Sequence, residues 1–265
     1  MLALKLGLSL PSINNVPSAA AFANLYSLAF DGVDDYVTCG DANVFTPNNS
    51  GANRGFSFSF WIKLPDPTSN IVISKNDLFS SGAKHYEYVI NTDFADRIKL
   101  TLYAGDSVSN SITLRLDSAL SADTWYHIAF AWDLGATNAD LIGYINGVAH
   151  SAAIGNATWT LAGSWTSISN TVNRLEFAKE TSTYGEFNLD EVALFDDQLS
   201  AAEVSAIYNG GTPTDLSGES YLLGYWRNGD TAGTSVYPTI EDYSSNNNDG
   251  TMTNMASGDI VTDVP

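Results

Sequence analysis

Large apolar residues recur at every second position in run after run of this chain. Phe56, Phe58, Phe60 and Ile62 are interleaved with Ser57 and Ser59; Ile98, Leu100 and Leu102 with Lys99 and Thr101; Ile112, Leu114 and Leu116 with Thr113 and Arg115. Tyr126, Ile128, Phe130 and Trp132 obey the same rule. In an extended strand successive side chains point to opposite faces, so each run is a ribbon with one oily face. Such ribbons are stable only when they pair edge to edge and bury that face against a second layer. Asn146-Gly147, between Leu141–Ile145 and Val148-Ala149, reads as a type I′ hairpin, because both residues tolerate positive φ. One short helix breaks the β pattern. Ser200 and Glu203 have capping-box spacing, Leu199 and Val204 occupy the staple positions, and Val204, Ile207 and Tyr208 share a face before Gly210-Gly211. The expectation is an all-β sandwich of two antiparallel sheets with one helix.

With 265 residues and 44% hydrophobic content the chain can fill a sizeable core as a single domain. Its 11 basic against 30 acidic residues give a net charge of −19. A surface this negative repels phosphate backbones and anionic headgroups, so nucleic acid and membranes are poor partners. The lone Cys39 excludes an intrachain disulfide and points to folding in a reducing cytoplasm. With one cysteine and three scattered histidines (His85, His127, His150) a zinc site is not expected.

The N-terminus holds two readings. Ala21-Phe22-Ala23 is similar to a signal-peptidase site, but Leu2, Leu4, Leu6, Leu8 and Leu10 alternate with smaller or polar residues instead of forming a continuous apolar run. Residues 1–24 therefore read as an extended arm suited to adding a strand to a neighbour, and residues 25–265 as the sandwich, with 216–265 as its closing segment.

Several segments carry a family resemblance: Ser27–Val37, Phe58-Ser59-Phe60-Trp61-Ile62-Lys63, Trp125–Phe130, Tyr144–Gly147, and Leu189-Asp190-Glu191-Val192-Ala193-Leu194-Phe195 followed by the helix. In this order they resemble the laminin-G-like, concanavalin A-like lectin/glucanase superfamily. The resemblance implies a concanavalin A-like jelly-roll. The ends, including Leu223–Arg227, Asp242–Asn246, Asp249–Met255 and Asp259–Pro265, are similar to such modules in tailed bacteriophages. That implies a non-enzymatic virion protein (capsid decoration, head fibre or tail-associated). It would be made in the host cytoplasm, displayed on the virion surface, and partnered by other virion proteins and further copies of itself. The alternative is a carbohydrate-binding adhesin for host glycans; a glycoside hydrolase stands third.

The family also implies chemistry to look for. Opening and closing segments of its members often clamp a structural Ca²⁺, here Asp31, Gly32, Asp34, Asp35 and Asp190; equally, Asp-Gly and Asp-Asp are ordinary turn formers. Laminarinase-like relatives carry three acids at alternate positions of one strand. Here those positions hold Glu186, Asn188 and Asp190, with Glu191 expected on the other face, a departure that argues against catalysis. Trp159, Trp165 and Tyr184, in polar neighbourhoods, are the candidate sugar-stacking rings. Asn48 and Asn156 begin glycosylation sequons that matter only in a eukaryotic secretory pathway.

Overall fold

The computed structural model describes residues 22–47, 54–77, 85–104, 107–230 and 237–265. The arm leucines 2, 4, 6, 8 and 10, and Asn48, lie outside the described residues.

The alternating runs form two large antiparallel sheets. The first runs Val148–His150, Leu141–Ile145, Trp125–Trp132, Phe56–Lys63, Glu186–Phe195, Ser27–Asp31, Ile260–Val261. Its long strand Glu186–Phe195 pairs along one edge with Phe56–Lys63; along the other it pairs first with Ser27–Asp31, then with Leu222–Trp226. The second sheet runs Ala157–Ala162, Ser107–Leu116, Ile98–Ala104, His85–Thr92, Ile71–Asp77, Glu176–Phe177, Tyr36–Thr38, Gly250–Thr253, Thr239–Ile240. Between the sheets lies one continuous core that takes Phe58, Ile128, Phe130, Phe187 and Leu189 from the first sheet and Val37, Tyr88, Leu100, Leu114 and Phe177 from the second. Burying each such side chain contributes about 1.5–3 kcal/mol, which is what holds strands of opposite ends of the chain together.

The outer face of the first sheet carries a second, smaller core. The helix Ala201–Tyr208 places Val204 and Ile207 over Ala129, Ala131, Ala193 and Phe195. Its capping box is present: Glu203 N–H donates to Ser200 Oγ (3.3 Å), and Ser200 N–H donates to Glu203 Oε2 (2.7 Å). Asn209, in left-handed conformation, ends it ahead of the two glycines. Tyr208 stacks on Trp61 at 5.8 Å between ring centres, so this tryptophan of an alternating strand points out of the main core and under the helix. The expected hairpin is formed, with Asn146 at φ 50° and Gly147 at φ 75°.

Residues 216–265 give strands to both sheets, and the run Asp242–Asp249 is a knot around one carboxylate. Asp242 is buried; its oxygens accept N–H bonds from Tyr225 (2.9 Å), Ser244 (2.8 Å) and Asn248 (2.8 Å), and the Ser244 hydroxyl (2.9 Å). The segment Asp242–Asp249 is thus a structural clasp on Trp226, whose indole N–H reaches Asn248 O at 3.0 Å.

Candidate functional site

The turn after the first strand brings Asp31, Asp34 and Asp35 together, their carboxylate oxygens within 4.8 Å of one another. Asp31 Oδ1 accepts the N–H groups of Val33 (2.8 Å), Asp34 (3.3 Å) and Asp35 (3.4 Å). Burial raises the Asp31 pKa, but these donors outweigh it and hold the carboxyl below its ordinary value. Asp35 moves the other way, to about 6: burial first, then the charges of Asp31 and Asp259. Gly32 sits at φ 72°, and a β-carbon there would lie 3.0 Å from Glu186 Cβ. This group has the geometry of a hydrogen-bonded Asp turn.

Asp190 is elsewhere. Asp31 pairs with Glu186 across the strands, so Asp190 lies four residues along, about 13 Å away at strand spacing. The acids expected on alternate positions share no cleft. Glu186 is exposed, the Asn188 amide donates to Asp263 Oδ2 (3.1 Å), and Asp190 is sealed. Glu191 does not face away from Asp190 as alternation predicts. A β-bulge between Asp190 and Ala193, with Glu191 at φ 49°, turns both carboxyls to the outer face. Glu191 accepts the Tyr225 hydroxyl and Arg227 Nε (3.3 Å). Burial, then the Tyr225 and Arg227 contacts in opposition, leave its pKa at about 7. Burial and the neighbouring Glu191 push Asp190 well above its ordinary value.

This corner holds a set of unmet hydrogen-bonding atoms. Asp190 Oδ1 accepts Glu191 N–H (2.8 Å), but Oδ2 has no partner. Asn228 is anchored to Leu189 O (2.9 Å) while its Oδ1 has none, and the Asn24 amide lies beside Asp190, where it pulls the carboxyl's pKa down against the effect of burial. Orphaned carboxylate and amide oxygens in a buried place are the donor set of a hard cation. By that test the implied Ca²⁺ fits Asp190, Asn228 and Asn24; at the Asp31 turn, Asp31 Oδ1 is already occupied by backbone donors.

The third place is a polar cavity of about 340 Å³ beside the second sheet, lined by Asn76, Val172, Asn173, Arg174, Glu176, Lys179 and Thr181. A buried ion pair anchors the neighbouring loop. Lys75 and Glu87 form a fully buried pair (2.6 Å), and Glu87 accepts the Thr171 N–H (2.8 Å) and hydroxyl (2.6 Å). The Ile71–Asp77/His85–Thr92 ladder shifts register next to this pair, between Lys75 and Asn76. Asn173 donates to His85 O (2.6 Å), so the loop carrying Arg174 is pinned at both sides. On the opposite wall Lys179 lies 3.2 Å from Glu176 Oε1 and 3.8 Å above the Tyr36 ring. Asn76 is buried; its Nδ2 donates to Glu180 Oε1 (2.7 Å), and its Oδ1 has no partner.

None of the expected sugar-stacking rings is among the residues lining this cavity. Trp159 and Trp165 are half-buried against the core, Trp165 edge-on to Trp132 at 5.7 Å, and Tyr184 lies 6.3 Å from Tyr36. Trp159 is opposite Leu114, which sets its core-facing side. Residues Asn76, Arg174 and Lys179 were not singled out by the sequence; the local signal was two cations within six residues of a chain that has only 11.

Residues 31–205 match the family model described as the concanavalin A-like lectin/glucanases superfamily. The chain belongs to this superfamily. Among solved structures, the lectin-like sandwich is similar to a protein from Bacteroides ovatus assigned to carbohydrate binding, with 14% identity, a TM-score of 0.58, and coverage of 91% of this chain and 60% of that one. It is also similar to the heptameric SAP-like pentraxin of Limulus polyphemus, at 14% identity, TM-score 0.46, and 72% and 85% coverage. A third is the Ruminococcus gnavus sialidase CBM40 bound to α2,3-sialyllactose, at 12%, 0.47, 69% and 96%. At these identities the likeness is one of fold. No curated protein matches the chain in sequence.

Proposed function

We propose that the chain is a non-enzymatic glycan-binding module whose site is the cavity between Asn76, Asn173, Arg174 and Lys179. The observation that carries this reading is the buried acceptor Asn76 Oδ1, left without a partner on a residue that lines a polar cavity. An unmet buried acceptor costs about 1–3 kcal/mol, and a ligand hydroxyl is the group that would relieve it. The volume falls within the range of small-molecule sites, and a wall of two amides, a guanidinium, a hydroxyl and the Lys179–Glu176 ion pair suits a polyhydroxylated ligand. The separation of Glu186 from the sealed Asp190 supports binding without turnover, because glycosidases need two carboxyls facing one bond. A glycan array probed with the full chain tests the reading. Saturable binding lost in Asn76→Ala is expected; binding that ignores this substitution would refute the site.

The setting we propose is the virion surface of a tailed phage, with the arm of residues 1–20 docking on a neighbouring subunit. Support comes from the terminal sequence motifs and the leucine alternation. Deleting residues 2–10 is expected to abolish incorporation into particles while the sandwich stays folded. A Ca²⁺ held by Asp190, Asn228 and Asn24 would tie the opening segment to the long strand.

A further inference from the structure

We infer that the cavity selects an acidic saccharide, a sugar whose carboxylate pairs with Arg174 while a hydroxyl of the same ligand donates to Asn76 Oδ1. This rests on the glycan-binding reading and names the class of ligand.

The first ground is the state of Arg174. In a chain with 30 carboxylate side chains and 11 cations, the basic groups have abundant partners. Lys63, Arg97, Arg115 and Arg227 each lie against a carboxylate. Arg174 is exposed at the cavity and makes no hydrogen bond or ion pair among the described residues. An unpaired guanidinium offers a planar fork of donors that matches a carboxylate two-for-two. Its loop does not need the side chain, since Thr171 and Asn173 already hold it through Glu87 and His85 O.

The second ground is independent of charge. The Glu180 contact fixes which end of the Asn76 amide is the donor, so the remaining oxygen is an acceptor turned away from that carboxyl. A bare carboxylate, which has no O–H at neutral pH, could not satisfy it; a ligand carrying both an O–H donor and an anion can. Lys179, engaged with Glu176, contributes further hydrogen-bond donors more than free charge. The net charge of −19 does not exclude an anionic ligand, because salt confines that repulsion to about 8 Å and the partners within the cavity decide.

The test is calorimetric titration of the full chain at physiological salt. The probes are oligogalacturonate, its methyl ester, sialyllactose, lactose and a sulfated galactan oligomer. One carboxylate probe is expected to bind about tenfold or more tightly than its neutral counterpart. Arg174→Gln should erase that preference without moving the melting temperature, and Asn76→Ala should weaken charged and neutral forms alike. Equal binding of acidic and neutral forms overturns the inference and leaves the glycan reading standing. So does binding confined to the sulfated probe, which would reassign the anion. No binding of any saccharide here or on the array removes both.

Discussion

The Lys75 ammonium lies 2.6 Å from Glu87 Oε1, and neither side chain has any exposed surface. Lys75 also reaches Asp41 (3.1 Å), and Glu87 takes the Thr46 and Thr171 hydroxyls, so a charge pair sits at the root of the loop that carries Arg174. Removing one partner of a buried pair strands the other. Lys75→Ala is therefore expected to destabilise the chain by about 3–5 kcal/mol in chemical denaturation. Replacing both by apolar residues, Lys75→Met with Glu87→Leu, should restore much of the stability and still misplace Thr171, lowering glycan affinity. A double variant that binds as well as the parent would show that the pair does not position the loop.

His127 is buried between Trp61 and Tyr208, its Nε2 2.9 Å from Ser59 Oγ, and burial lowers its pKa to about 3. The unfolded chain takes up a proton near pH 6.5 that the folded chain refuses, so this histidine's contribution is present above 6.5 and lost progressively down to about pH 3. Between pH 7 and 5 the parent should lose about 2 kcal/mol more stability than His127→Gln. Parallel pH profiles would mean the ring is protonated in place.

Calcium separates the two acidic places. If the cation sits at Asp190, millimolar Ca²⁺ raises the melting temperature, with about 2.7 kcal/mol of stabilisation at a hundred times Kd. Asp190→Ala should abolish the increment while Asp34→Asn retains it. The reverse pattern would move the ion to the Asp31 turn.

The strands were legible because their large apolar residues gather on the face toward the main core: in Phe56–Ile62 and Tyr126–Trp132 the other face, although buried too, carries mostly small residues such as Ser57, Ser59, Ala129 and Ala131; the capping box at Ser200 and the Asn146-Gly147 turn are equally local. Glu191 was misplaced because a bulge adds one residue to the count and has no signature in Leu189-Asp190-Glu191-Val192. The cavity was invisible for a different reason. Its walls come from Asn76, the 172–176 loop and the Lys179–Thr181 turn, more than 90 residues apart along the chain, and no short motif spans them. Trp159 drew attention by its polar neighbours, Thr158 and Thr160, yet these are the outward residues of an edge strand whose tryptophan turns inward.

The most direct test of the central claim is nuclear magnetic resonance of the labelled chain titrated with the tightest saccharide from the array. Binding at the cavity predicts that the side-chain amides of Asn76 and Asn173 and the Arg174 Nε resonance move together, with one saturation curve. Shifts confined to Trp159, Trp165 and their neighbours, with Asn76 silent, would contradict it.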